Sequence, residues 1–74
     1  MNLSDNKGAI EDYTKAIELK PDYAGAYYNR AISHKNLGDK NIAIADYQKA
    51  ADIYQKQGGT KDYQDALDRI KKLQ

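Results

Sequence analysis

The sequence predicts an all-α fold, antiparallel helical hairpins stacked as a short solenoid of four helices, and three observations carry that prediction. First, Ala9-Ile10-Glu11-Asp12-Tyr13-Thr14-Lys15-Ala16 returns as Ala43-Ile44-Ala45-Asp46-Tyr47-Gln48-Lys49-Ala50, identical at six of eight positions and displaced by 34 residues. A fixed period of that size marks a stack of like units, none of which buries its apolar face alone. Second, apolar residues recur three and four apart, with seven tyrosines as the only aromatic bulk and ten alanines as small contacts. Large and small residues at that spacing suit closely packed helices. Third, Pro21, Gly38 and Gly58-Gly59 interrupt the apolar stripes, and such residues stop helices.

Taken in order, Asp5 offers an N-cap for a first helix, since a short side-chain oxygen can accept from an unpaired first-turn N–H. Ile10, Tyr13, Ala16 and Ile17 supply its stripe, and Pro21 ends it near Leu19 or Lys20. Asp22 offers the cap of a second helix reaching Asn36, closed by Leu37-Gly38, where glycine accepts a left-handed backbone. Asp39 or Lys40 opens the third, whose stripe of Ala43, Tyr47, Ala50 and Tyr54 meets no proline before Gly58-Gly59. Thr60 offers the cap of a fourth helix carrying Tyr63, Ala66, Ile70 and Leu73. Short connections favour antiparallel hairpins. Acid-first pairs four apart, Glu11 to Lys15, Asp52 to Lys56, Asp65 to Arg69 and Asp68 to Lys72, support the helices at about 0.2 to 0.5 kcal/mol each and read as a solvated face.

A chain of 74 residues makes one small domain with a marginal core. Zero cysteines exclude disulfides and thiolate metal sites and fit a reducing, cytoplasmic setting. No signal-peptide pattern opens the chain, and its apolar runs fall far short of the roughly 20 residues of a membrane span. Twelve basic and eleven acidic residues, mixed along every segment, leave a net charge of +1. That balance gives nucleic acid or an anionic membrane no field to follow.

Catalysis lacks its parts. There is one histidine, there are two serines, and the adjacent Ser33 and His34 point about 100 degrees apart on a helix, so they cannot serve as nucleophile and base. His34 shares a stripe with Tyr27 and Ala31 that should face the third helix, and reads as a packed structural residue. Scattered acids offer no metal-ligand spacing, and no phosphate loop appears, so no cofactor is expected.

Binding has better support, because the second helix has two chemically different faces. Tyr27, Ala31 and His34 form one; Gly25, Tyr28, Ile32 and Lys35, with Asn29 and Asn36 beside them, form the other. An aromatic, an aliphatic, amides and a lysine make a surface for an extended peptide or a helix. For Tyr28 and Ile32, packing against a neighbouring helix or a second copy is at least an equal reading.

With Leu37-Gly38-Asp39 before a helix bearing Ala43, Tyr47 and Ala50, and with Ala26-Tyr27-Tyr28-Asn29-Arg30-Ala31 opening the helix before it, the chain resembles the tetratricopeptide repeat. Ala31 stands where that family usually has glycine, His34 where it has an aromatic, and Gln55 where Pro21 stood one period earlier, which lets the third helix run longer. The resemblance implies a right-handed α-solenoid: a single domain over 1–74, with the second half of a repeat at 3–21, a full repeat at 22–57 and a capping helix at 60–74. It places the stripe of Tyr28, Asn29, Ile32, Lys35 and Asn36 in a concave groove and implies a non-catalytic scaffold that binds a protein or peptide partner there. Tyr28-Asn29-Arg30-Ala31 is similar to the segment that, in chaperone-binding members, supplies an asparagine for a client's C-terminal carboxylate, although the other clamp members come from repeats not present here. The first helix lacks its hairpin mate, so the alternative is a self-associating or helix-swapped fragment, a homo-oligomer built through that bare face.

Overall fold

Four helices follow one another in the computed structural model, which describes residues 3–74: α1 (Leu3–Leu19), α2 (Ala24–Asn36), α3 (Lys40–Lys56) and α4 (Thr60–Leu73). Their C-termini are fixed by the residues the sequence singles out. Pro21 follows directly on Lys20, where the Lys20 N–H makes a last helical bond to Ala16 O at 2.9 Å, and α1 ends at Leu19. Gly38 and Gly58 take φ of +87° and +78°, the left-handed conformation that costs an L-residue a clash at Cβ. Each closes a doubly bonded helix end. The Gly38 N–H donates to Lys35 O at 3.0 Å and Asp39 N–H to His34 O at 2.9 Å, and the same pattern recurs from Gly58 to Gln55 O at 3.2 Å and from Gly59 to Tyr54 O at 2.8 Å. With Gln55 in place of proline, α3 continues to Lys56.

The N-termini differ from the sequence expectation. Asp5 lies inside α1, in its first turn, because the helix already includes Leu3. Tyr23, one residue after Asp22, occupies the N-cap position of α2, and Gly59, one before Thr60, that of α4. Asp39 holds the cap position of α3, yet none of the three positions makes a side-chain capping bond. Their backbone carbonyls accept the first helical bonds, Tyr23 O from Ala26 N–H at 3.1 Å, Asp39 O from Ala43 N–H at 2.9 Å and Gly59 O from Tyr63 N–H at 2.8 Å. The Asp39 carboxylate is turned toward His34, its Oδ2 lying 3.6 Å from Nδ1.

Sequential helices pack on one another, α2 on α1 and α3, and α4 on α3, giving a slab of 34 × 30 × 17 Å. Its centre is Tyr47, fully buried with Ala31, Ala43 and Ile70, and flanked by Tyr28, Ile32, Ile44, Leu67 and Leu73. Alanines at the crossing points let the helix axes approach, and Tyr47 fills the space left between three helices. Of the acid-first pairs, Asp65–Arg69 closes at 3.9 Å. Asp52 and Asp68 instead accept from the amides of Gln48 and Gln64, at 3.1 and 3.3 Å, neutral partners on the same faces.

Candidate functional site

The outer stripe of α2 divides into two kinds of residue. Tyr28 and Ile32 are half-buried and pack against the Tyr47 cluster, while Asn29 and Lys35 are exposed. Tyr28 is held from three sides. Its ring meets that of Tyr47 edge-on, with centroids 5.3 Å apart and planes at 75°, a geometry that contributes about 0.5 to 1.5 kcal/mol beyond burial. Its hydroxyl donates to Asp65 Oδ2 at 2.6 Å, and the Arg69 guanidinium lies 5.5 Å from the ring centre. Burial, and then donation to the Asp65 carboxylate, push the Tyr28 phenol up to about 12, because both favour its neutral form. The residue is therefore a fixed platform between α2 and α4, with Asn29 and Lys35 as exposed polar groups on the same helix.

Asn36 belongs elsewhere. Its amide donates to Asn6 Oδ1 at 3.2 Å, so it joins α2 to α1, away from Tyr28. The structure thus brings Tyr28 and Ile32 together over the core, leaves Asn29 and Lys35 exposed on the same helix, and ties Asn36 to the opposite neighbour.

A second polar constellation, not anticipated as a unit, runs through the stack. Arg30 on α2 donates through Nε and Nη2 to the two oxygens of Asp46 on α3, both at 2.8 Å. Its Nη1 donates to Thr14 Oγ1 on α1 at 3.2 Å, and that hydroxyl donates to Ile10 O at 2.7 Å. The guanidinium also stacks 5.2 Å from the Tyr27 ring. Hydrogen bonding to Asp46 is the main cause that raises the Arg30 pKa, so the guanidinium stays charged. A sequence signal for it existed: Asp46 falls on the stripe of Ala43, Tyr47 and Ala50, and a carboxylate on a buried stripe needs a partner.

His34 packs as expected, its side chain 16% exposed, with Nε2 4.0 Å from Asp46 Oδ2. Its Nδ1 and the Tyr47 hydroxyl are buried without hydrogen-bond partners among the described residues. Burial drives the Tyr47 phenol up, against the opposing Arg69 charge. No group of three metal-ligating side chains converges among the described residues, and no helix is long and apolar enough to cross a membrane.

Comparison with known proteins gives this geometry a relationship. A family model described as TPR repeat matches residues 2–38, and one described as tetratricopeptide repeat matches residues 24–57. The chain is 43% identical over 49 residues to the Protein SGT1 homolog of Homo sapiens, covering 66% of this chain and 13% of that protein. It is 40% identical over 58 residues to the small glutamine-rich tetratricopeptide repeat-containing protein 2 of Mycosarcoma maydis, covering 78% and 16%. To the Hsp70-Hsp90 organizing protein of Triticum aestivum it is 44% identical over 41 residues, covering 55% and 7%. In each case the match spans a small part of the relative. Stacked helical hairpins, a 34-residue period and these matches agree: the chain belongs to the tetratricopeptide repeat family.

Proposed function

We propose that the chain is a non-catalytic protein-interaction module that takes a peptide or helix from a partner along the outer stripe of α2. The observation that supports this reading most is the contrast within that stripe: Tyr28 is fixed from α3 and α4, while Asn29 and Lys35 beside it are exposed. A rigid aromatic flanked by an amide and a cation provides apolar contact at little entropic cost, together with polar groups that set register. The Asn29 amide N–H and the Lys35 ammonium can both donate to a carboxylate, and a relative is named an Hsp70-Hsp90 organizing protein. A peptide with a free C-terminus is therefore the first class to test, and a cytoplasmic setting is the one we assign.

The test is fluorescence anisotropy with a panel of peptides, each as free acid and as amide. Asn29→Ala combined with Lys35→Ala should weaken capture about tenfold, as loss of one or two charge-assisted bonds does, with the helical circular dichroism unchanged. Equal affinity of the double variant would move the site off α2. The competing reading, self-association through α1, draws on the exposure of Leu19 at 88%. A solution mass that stays at one chain across concentration removes it.

A further inference from the structure

Short turns make each helix run back along the one before, so α2 and α4, which are joined through α3, point the same way. They meet at Tyr28, whose hydroxyl donates to Asp65 Oδ2 at 2.6 Å. Seven residues beyond each partner of that bond stand Lys35 on α2 and Lys72 on α4, about 10 Å along either axis at roughly 1.5 Å per residue. The helices have not parted there, since Ile32 and Leu73 pack on the same cluster. The outer surface shared by α2 and α4 therefore has two exposed lysines toward one end, and the exposed Asp65 and Asp68 before them.

These charges are not consumed within the fold. Among the described residues neither Lys35 nor Lys72 lies within ion-pair distance of an acid. Asp68, four residues before Lys72 and spaced to pair with it, accepts from the neutral Gln64 amide at 3.3 Å instead. Asp65 takes the Tyr28 hydroxyl and has Arg69 at 3.9 Å, yet its side chain is 53% exposed. The helix dipole accounts for lysines in a last turn and acids in a first one. It does not account for Asp65 and Asp68, which stand beyond the first turn of a helix that begins at Thr60. Lys61 and Asp62, within that first turn, offset each other.

Building on the reading of α2 as a peptide surface, we propose that this surface takes its peptide in one direction and with one charge pattern. The free carboxyl terminus meets Lys35 and Lys72, and a lysine or arginine two or three residues earlier meets Asp65 and Asp68. The separations agree: the two acids precede Lys72 by about 10 and 6 Å along the helix, and an extended chain covers about 3.3 Å per residue. Tyr28, fixed between them, supplies the apolar contact. An acidic side chain at the same place faces like charge, so the surface rejects it.

The test uses the full chain and fluorescein-labelled heptapeptides with a free carboxyl terminus, alike except for lysine, alanine or glutamate third from the end, followed by anisotropy. The lysine peptide should bind about fivefold more tightly than the glutamate peptide, with alanine between, because two exposed acids favour one charge and oppose the other. Asp68→Lys should reverse that order with the helical circular dichroism unchanged, and Lys72→Glu should lower the preference for free acid over amide about threefold. With a nitroxide on the amino end of the lysine peptide, amide signals near Ala24 and Lys61 should broaden while those of Lys35 and Lys72 stay sharp. Equal binding of the three peptides, failure of the lysine peptide to saturate, or broadening at Lys35 and Lys72 overturns the proposal. If free acid is still preferred over amide in such a case, the α2 reading stands without it. No such preference, together with unchanged affinity in the Asn29→Ala, Lys35→Ala chain, removes both.

Discussion

Arg30 is the residue on which three helices converge, joining Asp46 and Thr14 across α2, α3 and α1. Its guanidinium and the Asp46 carboxylate are 20% and 9% exposed, so removing either partner strands a largely desolvated charge. Arg30→Ala should lower unfolding free energy by about 2 to 3 kcal/mol, read from urea denaturation, and in a domain this small that is a large share of the total. Tyr47→Phe should act oppositely or not at all. The buried hydroxyl makes no hydrogen bond of good geometry among the described residues, the Arg69 guanidinium being its charged neighbour, so deleting it removes a polar group whose burial carries a cost. Tyr28 gives a pH signature. Its pKa rises from 10.0 to about 12 on folding, so its contribution is complete below pH 10.0 and is lost as pH climbs toward 12. Melting temperatures across that window should fall less steeply in Tyr28→Phe than in the parent. The Arg30–Asp46 pair was not legible in the sequence as a contact, because its partners are 16 residues apart on different helices. The position of Asp46 on a buried stripe was its only trace.

At the scale of the element, glycine has opposite meanings at different positions. Gly38 has a φ of +87° with open space where a Cβ would stand, so Gly38→Ala tests backbone conformation alone and should destabilise by about 1 to 2 kcal/mol. Gly8 lies within α1, also with open space around it. Gly8→Ala should stabilise by about 0.5 to 1 kcal/mol, and thermal melts of the pair check both signs. The stops were legible because proline and left-handed glycine act through their own residue's sterics. The starts of α2, α3 and α4 were legible to within a residue, that of α1 was not because Asp5 lies inside it, and no expected side-chain cap formed on α2, α3 or α4. A capping side chain has alternatives, and Asp39 shows one, its carboxylate facing His34 while its carbonyl accepts the first helical bond.

At the scale of the molecule, stacking decides what the surface can do. Which residues share a stripe on α2 was readable from helical spacing, but which of them stay exposed was not. That depends on where α4 closes, and α4 takes Tyr28 through Asp65 and Arg69. Asn36 left the expected site for a similar reason, since α1 presents Asn6 to it. The central claim is that a partner meets the outer stripe of α2, and backbone amide shifts recorded by NMR during titration with a captured peptide test it most directly. Perturbations should cluster at Asn29, Ile32 and Lys35 and spread across Tyr28 to Asp65 and Arg69. Shifts confined to the outer faces of α3, with α2 unmoved, would contradict it.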